Sequence, residues 1–340
     1  MTAVQYLVTG GTGFIGAHLV RRLVASYGPG AVTCLVLPGE AAGDERLIHL
    51  RESGVRLIEG DLLEPGVAAE RAPKPSVVFH LAANIDTAGD EASMRLNDAG
   101  VAHLLDWLGP DVAGARVVFT SSVAALDRDR PAEGPLTDES PCAARTAYGR
   151  SKHRAERLLR ERATLDGFTF TTLRLPTVYG VGQKPGGLFD SLRSLAERGA
   201  WLARLNWPGR TSVMHLDDLV TVLVDLAHRP EAAGRTLGLA SPDVVTVGEL
   251  AQAVARTVGR PRRPIELPPW FWAGVRRAVW HPVVCRLVPP RYRLHHWRLS
   301  LMVDDGFWMD PGGFRELYPA RVMRLEEGLR LTFPRNDQER

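Results

Sequence analysis

An α/β fold with a doubly wound parallel sheet is the architecture that the first half of this chain predicts. Three observations carry the prediction. Short, near-continuous apolar runs recur, amphipathic stretches at helical spacing separate them, and a glycine-rich turn stands between the first run and the first helix. Strands that are apolar along their whole length are buried on both faces, which places helices on either side of a parallel sheet. The connections are then right-handed crossovers.

Taken in order, Val4–Thr9 is the first strand, and Phe14–Ser26 carries Ile15, Leu19 and Leu23 at helical spacing. Ala31–Leu37, Val55–Ile58, Val77–His80 and Arg116–Thr120 read as the second to fifth strands, with helical windows at Ala92–Leu108 and Ala147–Ala163. Phe168–Arg174 is the sixth strand. After about Tyr179 the texture changes: Gly and Pro become denser and helices dominate. Gly182–Gly187 reads as a loop, Gly248–Val258 as a helix capped by Thr246, and Pro261–Pro269 as a linker. The chain therefore divides into residues 1–180 and a smaller, mostly helical lobe over 181–340, with 210–230 returning to the first unit.

Composition sets the outer limits. The 340 residues are 45% hydrophobic and 24% charged, the pattern of a globular chain able to bury a full core. The net charge is only +3, yet residues 260–300 hold nine arginines against one acid, Glu266, and interleave Trp270, Trp272, Trp280 and Trp297. That stretch reads as a helical cap, as a wide aromatic and partly basic pocket, or as a surface for a membrane or a partner. No nucleic-acid module accompanies the charges, so nucleic acid is not an expected partner. Cys34, Cys142 and Cys285 are scattered without CxxC spacing, and His295-His296 lacks acidic or Cys partners at ligand spacing, so no metal site is expected. The N-terminus lacks a basic segment ahead of its apolar run. Pro268–Leu287 is interrupted by Arg276, Arg277, His281 and Pro282. A cytoplasmic protein with no transmembrane segment is the expectation. Only Lys74, Lys152 and Lys184 are lysines, against 39 arginines.

Three motifs carry chemistry. In Thr9-Gly10-Gly11-Thr12-Gly13-Phe14-Ile15-Gly16, the glycines Gly10, Gly13 and Gly16 form GxxGxxG between a strand and a helix. The first allows a tight turn, the second lets backbone approach a pyrophosphate, and the third lets the helix pack on the strand. The helix start then offers N–H groups and a positive dipole end to phosphates. This predicts a Rossmann-type sheet with a dinucleotide at its crevice. In Tyr148-Gly149-Arg150-Ser151-Lys152, YxxxK spacing puts phenol and ammonium on one helix face. A nearby cation stabilises the phenolate, making tyrosine useful as an acid or base. Finally, Thr120-Ser121-Ser122 ends the fifth strand, where open α/β sheets bind their ligands.

Together and in this order, the motifs resemble the extended short-chain dehydrogenase/reductase family, of the NAD-dependent epimerase/dehydratase type, over roughly residues 4–225. The resemblance implies cofactor contacts from Gly10, Thr12, Gly13, Phe14, Ile15 and Gly16, and from Leu37 at the end of the second strand. It implies further contacts from Asp61 and Leu62 after the third strand, Leu81, Ala82 and Ala83 after the fourth, and Asn97 on its helix. Pro176, Thr177 and Val178 would lie by the nicotinamide, with Tyr148 and Lys152 also touching the cofactor. Ser122, in preference to Ser121, Tyr148 and Lys152 match the catalytic residues. Met214-His215-Leu216-Asp217-Asp218 resembles the family's late signature, read as structural. The implied reaction passes hydride between a nicotinamide and a carbon bearing oxygen, with Tyr148 moving the hydroxyl proton.

Departures from the family narrow the reading. Leu37 replaces the acid of NAD-selective members, which leans the expectation to NADP over NAD, with Arg46 too distant to serve as a basic replacement. Val123-Ala124-Ala125 follows Ser122 where dehydratases place an acidic pair, and Thr211 stands where sugar-nucleotide members clamp a diphosphate, with Arg210 one residue out of register. The expected function is interconversion of a ketone and a secondary alcohol on a fairly apolar small molecule. A nucleotide-sugar 4-epimerase and a non-enzymatic nicotinamide redox sensor are the alternatives. A homodimer through the YxxxK helix and its neighbour is a candidate assembly.

Overall fold

Seven parallel strands in the order β10-β6-β5-β4-β1-β2-β3 form the sheet that organises the chain. They are β1 (Tyr6–Thr9), β2 (Val32–Val36), β3 (Arg56–Glu59), β4 (Val77–His80), β5 (Arg116–Ser122), β6 (Thr169–Leu175) and β10 (Arg235–Gly238). The computed structural model describes residues 4–39, 45–126, 134–183, 185–289, 292–304 and 307–334. Lys184 and Arg291 lie outside the described residues. β1 pairs with β2 on one side and β4 on the other, Tyr6 matching Val32 and Val77. The strand order reverses there, which opens a crevice beyond the carboxyl ends of β1 and β4.

Both faces of the sheet are covered, as the unbroken apolar strands require. Tyr6, Val8 and Phe79 pack against Leu19 and Leu23 of α1 (Phe14–Tyr27) and against Leu219 and Leu223 of α6 (Leu216–His228). Leu7, Val78 and Val117 face the other way, onto Val101 and Leu104 of α3 (Arg95–Leu108) and Leu159 of α4 (Ala147–Asp166). Alternation along β1 thus feeds two cores.

α6 packs on α1, and β10, which the sequence did not announce, extends the sheet beyond β6. The short strands β7 (Thr177–Tyr179) and β9 (Val213–His215) pair in parallel, and β8 (Arg210–Thr211) pairs antiparallel with β11 (Val245–Thr246). α2 (Glu45–Glu52) and α5 (Leu188–Glu197) were also unread in the sequence. α7 (Val247–Thr257) starts at Thr246 with a full capping box: Thr246 Oγ1 accepts from the Glu249 amide at 3.1 Å, and Glu249 returns to the Thr246 amide at 2.8 Å.

The Trp- and Arg-rich stretch folds as α8 (Pro269–Val279), α9 (Pro282–Leu287) and α10 (Arg293–Val303). Trp272, Val279, Val303 and Leu205 form its small core, with Trp207 and Trp280 against it. The chain closes with α11 (Gly312–Leu317), which packs on β10, and α12 (Leu325–Thr332), which packs on α7 and β9. His215 caps α6 through Nδ1, accepting from the Asp217 amide at 3.3 Å, and Asp218 accepts from the Met323 amide at 2.8 Å. The late signature therefore ties the end of the chain to α6. No described helix is long and apolar enough to cross a membrane.

Candidate active site

The glycine loop is shaped by contacts that a side chain would block. Gly10 has φ +73°, and a Cβ there would stand 2.7 Å from the Ala82 nitrogen. A Cβ on Gly16 would run into the Gly10 carbonyl oxygen. Gly13 is the N-cap of α1 and supplies no side-chain cap, so the first-turn N–H groups of α1 face the crevice beside Leu81–Ala83. An anionic diphosphate fits this cradle, and a nicotinamide dinucleotide carries one. Arg46 of α2 donates to the Thr12 carbonyl at 3.4 Å and to the Gly182 carbonyl at 2.9 Å. Arg46 therefore sits against the glycine loop, because α2 returns the chain there after β2.

Across the crevice, α4 approaches β5 closely. A Cβ on Gly149 would strike the Ala124 carbonyl oxygen, so glycine inside the YxxxK segment lets the helix seat against the turn after Ser122. Thr146 caps α4, accepting from the Gly149 amide at 3.1 Å. Ser122 stands at the end of β5 and accepts from the Ala124 amide through Oγ at 3.1 Å. Burial raises the phenol above its ordinary value and Ser122 pulls the other way. Lys152 is 2% exposed and donates from Nζ to the Thr120 carbonyl at 2.9 Å, with Nζ 4.9 Å from the Phe119 ring centre. Burial pulls the Lys152 ammonium down to about 7, with Glu156 opposing. The structure thus gathers Ser122, Tyr148 and Lys152, but the partner that lowers the phenol here is Ser122 rather than the lysine.

Ser121 faces away. Its Oγ donates to Glu156 Oε1 at 2.5 Å, and Glu156 is paired by Arg174 through Nε at 3.1 Å and Nη2 at 2.8 Å. Cys142, His153 and Glu156 bring ligand atoms within 4.8 Å of one another. The Arg174 guanidinium already bonds Glu156 and reaches Cys142 Sγ at 3.6 Å, so a cation occupies that cluster.

Three of the expected cofactor residues also make bonds within the protein. Asn97 is buried, its Nδ2 donating to the Asn84 carbonyl and Ser151 Oγ, each at 2.9 Å, and its Oδ1 accepting from the Asn84 amide at 2.8 Å. Its amide clamps the loop after β4 to α4. Leu62 is a core side chain packed under α3, and its carbonyl bonds His103 at 2.8 Å. Asp61 spends Oδ1 on the Leu63 amide at 2.8 Å. Leu37 is exposed on the rim at the end of β2, Pro176 is buried, and Thr177 and Val178 are half-buried just after β6.

Two further side chains shape the crevice, of which Arg145 has no signal in the sequence. His80, fully buried at the end of β4, bonds Thr9 Oγ1 through Nδ1 at 2.8 Å and stacks on Phe119. Burial and then the Lys152 charge pull it down to about 3, so it is neutral, and Nε2 has no partner among the described residues. Arg145, just ahead of α4, lies 4.6 Å from the Trp280 ring centre and donates to Ser300 Oγ at 3.2 Å, joining the Trp-rich lobe to the start of the YxxxK helix.

Doubly wound sheets with a glycine-lined helix start at this crevice are dinucleotide-binding folds. Residues 6–240 match the NAD dependent epimerase/dehydratase family, and the chain belongs to that family, within the extended short-chain dehydrogenases/reductases. It is 30% identical over 282 residues to 2'-dehydrokanamycin reductase of Streptomyces kanamyceticus, covering 78% of this chain and 70% of that one. It is 29% identical over 285 residues to UDP-glucose 4-epimerase of Mycolicibacterium smegmatis, covering 78% and 86% respectively. The fold resembles the crystal structure of UDP-glucose 4-epimerase from Thermotoga maritima, with a TM-score of 0.71 at 21% identity over 97% of both chains.

Proposed function

We propose that the chain is an NAD(P)-dependent oxidoreductase that interconverts a ketone and a secondary alcohol on a fairly apolar small molecule. The observation that carries this is the buried Lys152, anchored on the Thr120 carbonyl one helical turn from Tyr148 and beside the strand end that carries Ser122. When bound, a nicotinamide dinucleotide supplies or accepts the hydride. Gly10, Gly13 and the α1 start hold its diphosphate, and the 81–83 and 176–178 segments flank its nicotinamide half. Tyr148 gives the substrate oxygen its proton or takes it back, and Ser122 donates to the same oxygen as charge develops. Lys152, anchored on the Thr120 carbonyl, holds the ribose, while Ser122 opposes the burial that raises the phenol. In this reading residues 1–180 bind cofactor and 181–340 form the substrate lobe. The enzyme works in the cytoplasm, where nicotinamide cofactors are replenished, as a homodimer through α3 and α4.

Arg46 at the glycine loop, with no acid at Leu37, supports NADP over NAD. A second reading, nucleotide-sugar 4-epimerase, is supported by the epimerases among the relatives. Against it, the Arg210 guanidinium lies 5.7 Å from the Trp308 ring centre, and Thr211, in the clamp position, is buried. Titration with NADH and NADPH, each with and without ketones and nucleotide sugars, tests the choice. The oxidoreductase reading expects turnover of free cofactor with ketones. Tightly held nicotinamide that interconverts nucleotide sugars without net oxidation would overturn it. A preference for NADPH of tenfold or more, about 1.4 kcal/mol, is the expected cofactor result.

Lys152 also gives a pH signature. Its folded value of about 7 lies below the ordinary 10.5. Between these limits the unfolded chain holds a proton that the folded chain has released, so stability should rise with pH across that window. Denaturant titrations of the cofactor-free protein and of Lys152→Met should show this rise in the first and its loss in the second.

A further inference from the structure

The least explained surface lies on the C-terminal lobe. α9 buries none of its six residues, although Val283, Val284 and Leu287 are apolar, Leu287 being 73% exposed. At the start of α8, Trp270 is 74% exposed, with Phe271 edge-on beside it at 6.3 Å. Exposed apolar side chains gathered on two helices that pack together mark a candidate contact site. They are held outward rather than loosely: Trp272 is buried and donates to Asn206 Oδ1 at 3.1 Å, and Arg276 pairs with Asp304 at 3.0 Å. Arg277, Arg286, Arg293 and Arg298 are exposed on the same three helices, with no ion pair to any of them among the described residues.

We propose that α8, α9 and α10 dock the protein on an anionic phospholipid bilayer. Trp270, Phe271 and the aliphatic residues of α9 enter the headgroup region while the arginines engage lipid phosphates. The charge pattern selects this occupant. Residues 260–300 carry nine arginines against Glu266 alone, a one-signed field that an anionic lipid plane answers along its whole extent. A second copy meeting the same face would set arginine against arginine. Tryptophan beside arginine is also the chemistry of a headgroup boundary: the indole has an apolar body and a polar edge, and the arginine stem lies along apolar surface with its charge outward. Arg145, stacked on Trp280 and bonded to Ser300, braces this face against the start of α4.

The test is co-sedimentation of the full chain with phosphatidylcholine vesicles, with and without phosphatidylglycerol. Binding is expected only with phosphatidylglycerol. It should fall with salt, as the screening length drops from about 30 Å at 0.01 M to about 8 Å at 0.15 M. Arg277→Glu with Arg286→Glu should weaken it by about tenfold or more. Trp270→Ser with Leu287→Ser should also weaken it. All four positions are exposed, so circular dichroism should show the variants folded. Equal binding to both vesicle types, or none, overturns the proposal. So does a lipid-free dimer that these variants dissociate. Because the readout is vesicle binding, an inactive protein that still sediments would refute the enzymatic reading and leave this one standing.

Discussion

Tyr148→Phe should lower kcat by about 10²–10⁴-fold while leaving cofactor affinity nearly unchanged. The substitution removes only the hydroxyl. The ring remains, and so does the Lys152 bond to the Thr120 carbonyl, which does not involve the phenol. What is lost is the group that moves the proton. Single-turnover kinetics with a ketone substrate and a fluorescence titration with the reduced cofactor separate the two quantities. Turnover at the wild-type rate would remove Tyr148 from the mechanism. A parallel collapse of cofactor affinity would make the residue a binding group instead.

The other large effect is on stability. Arg174→Ala should destabilise the fold by about 3–5 kcal/mol, because it strands a charged Glu156 inside the protein. Arg174 and Glu156 are 6% and 3% exposed at their side chains, and the pair is bidentate. Ser121 and the Asp138 carbonyl complete the network, the latter accepting from Arg174 Nη1 at 2.9 Å. Removing both charges with Arg174→Met and Glu156→Gln should recover much of the loss. By contrast, the pairs that the exposed Arg154 makes with Glu91 and Asp98 are worth at most about 1 kcal/mol each, so Arg154→Ala should cost much less than Arg174→Ala. Urea denaturation of the four proteins gives the comparison. A wild-type midpoint for Arg174→Ala would mean that Glu156 is protonated or hydrated once its partner is gone.

What the sequence made legible was what depends on near neighbours. The glycine loop works through residues within one turn of each other, and YxxxK works through i, i+4 spacing, so both could be read directly. The choice of Ser122 over Ser121 has the same origin. Successive strand residues point to opposite faces, and Ser121 is the one turned to Glu156. The approach of Arg46 to Thr12 is not legible, because it depends on α2 folding back to the glycine loop. Asn97 and Leu62 sit where the family pattern put them, but only packing shows that one clamps a loop and the other fills a core. β10 escaped because Arg235–Gly238 is short, half-polar and ends in glycine, so its place as a strand comes from β6 beside it.

The position of β10 also bears on how the chain is made. β6 leaves the ribosome with one hydrogen-bonding edge unpaired, and its partner follows only after β7, β9 and α6 have been synthesised. Even then the new edge is not finished. The Gly238 amide donates to Asp138 Oδ1 at 2.6 Å, and Met309 fills the space a side chain on Gly238 would take. During that interval an apolar strand edge is open to neighbouring chains, the condition under which nascent α/β proteins aggregate. How long that edge stays open is therefore set by the second half of the polypeptide.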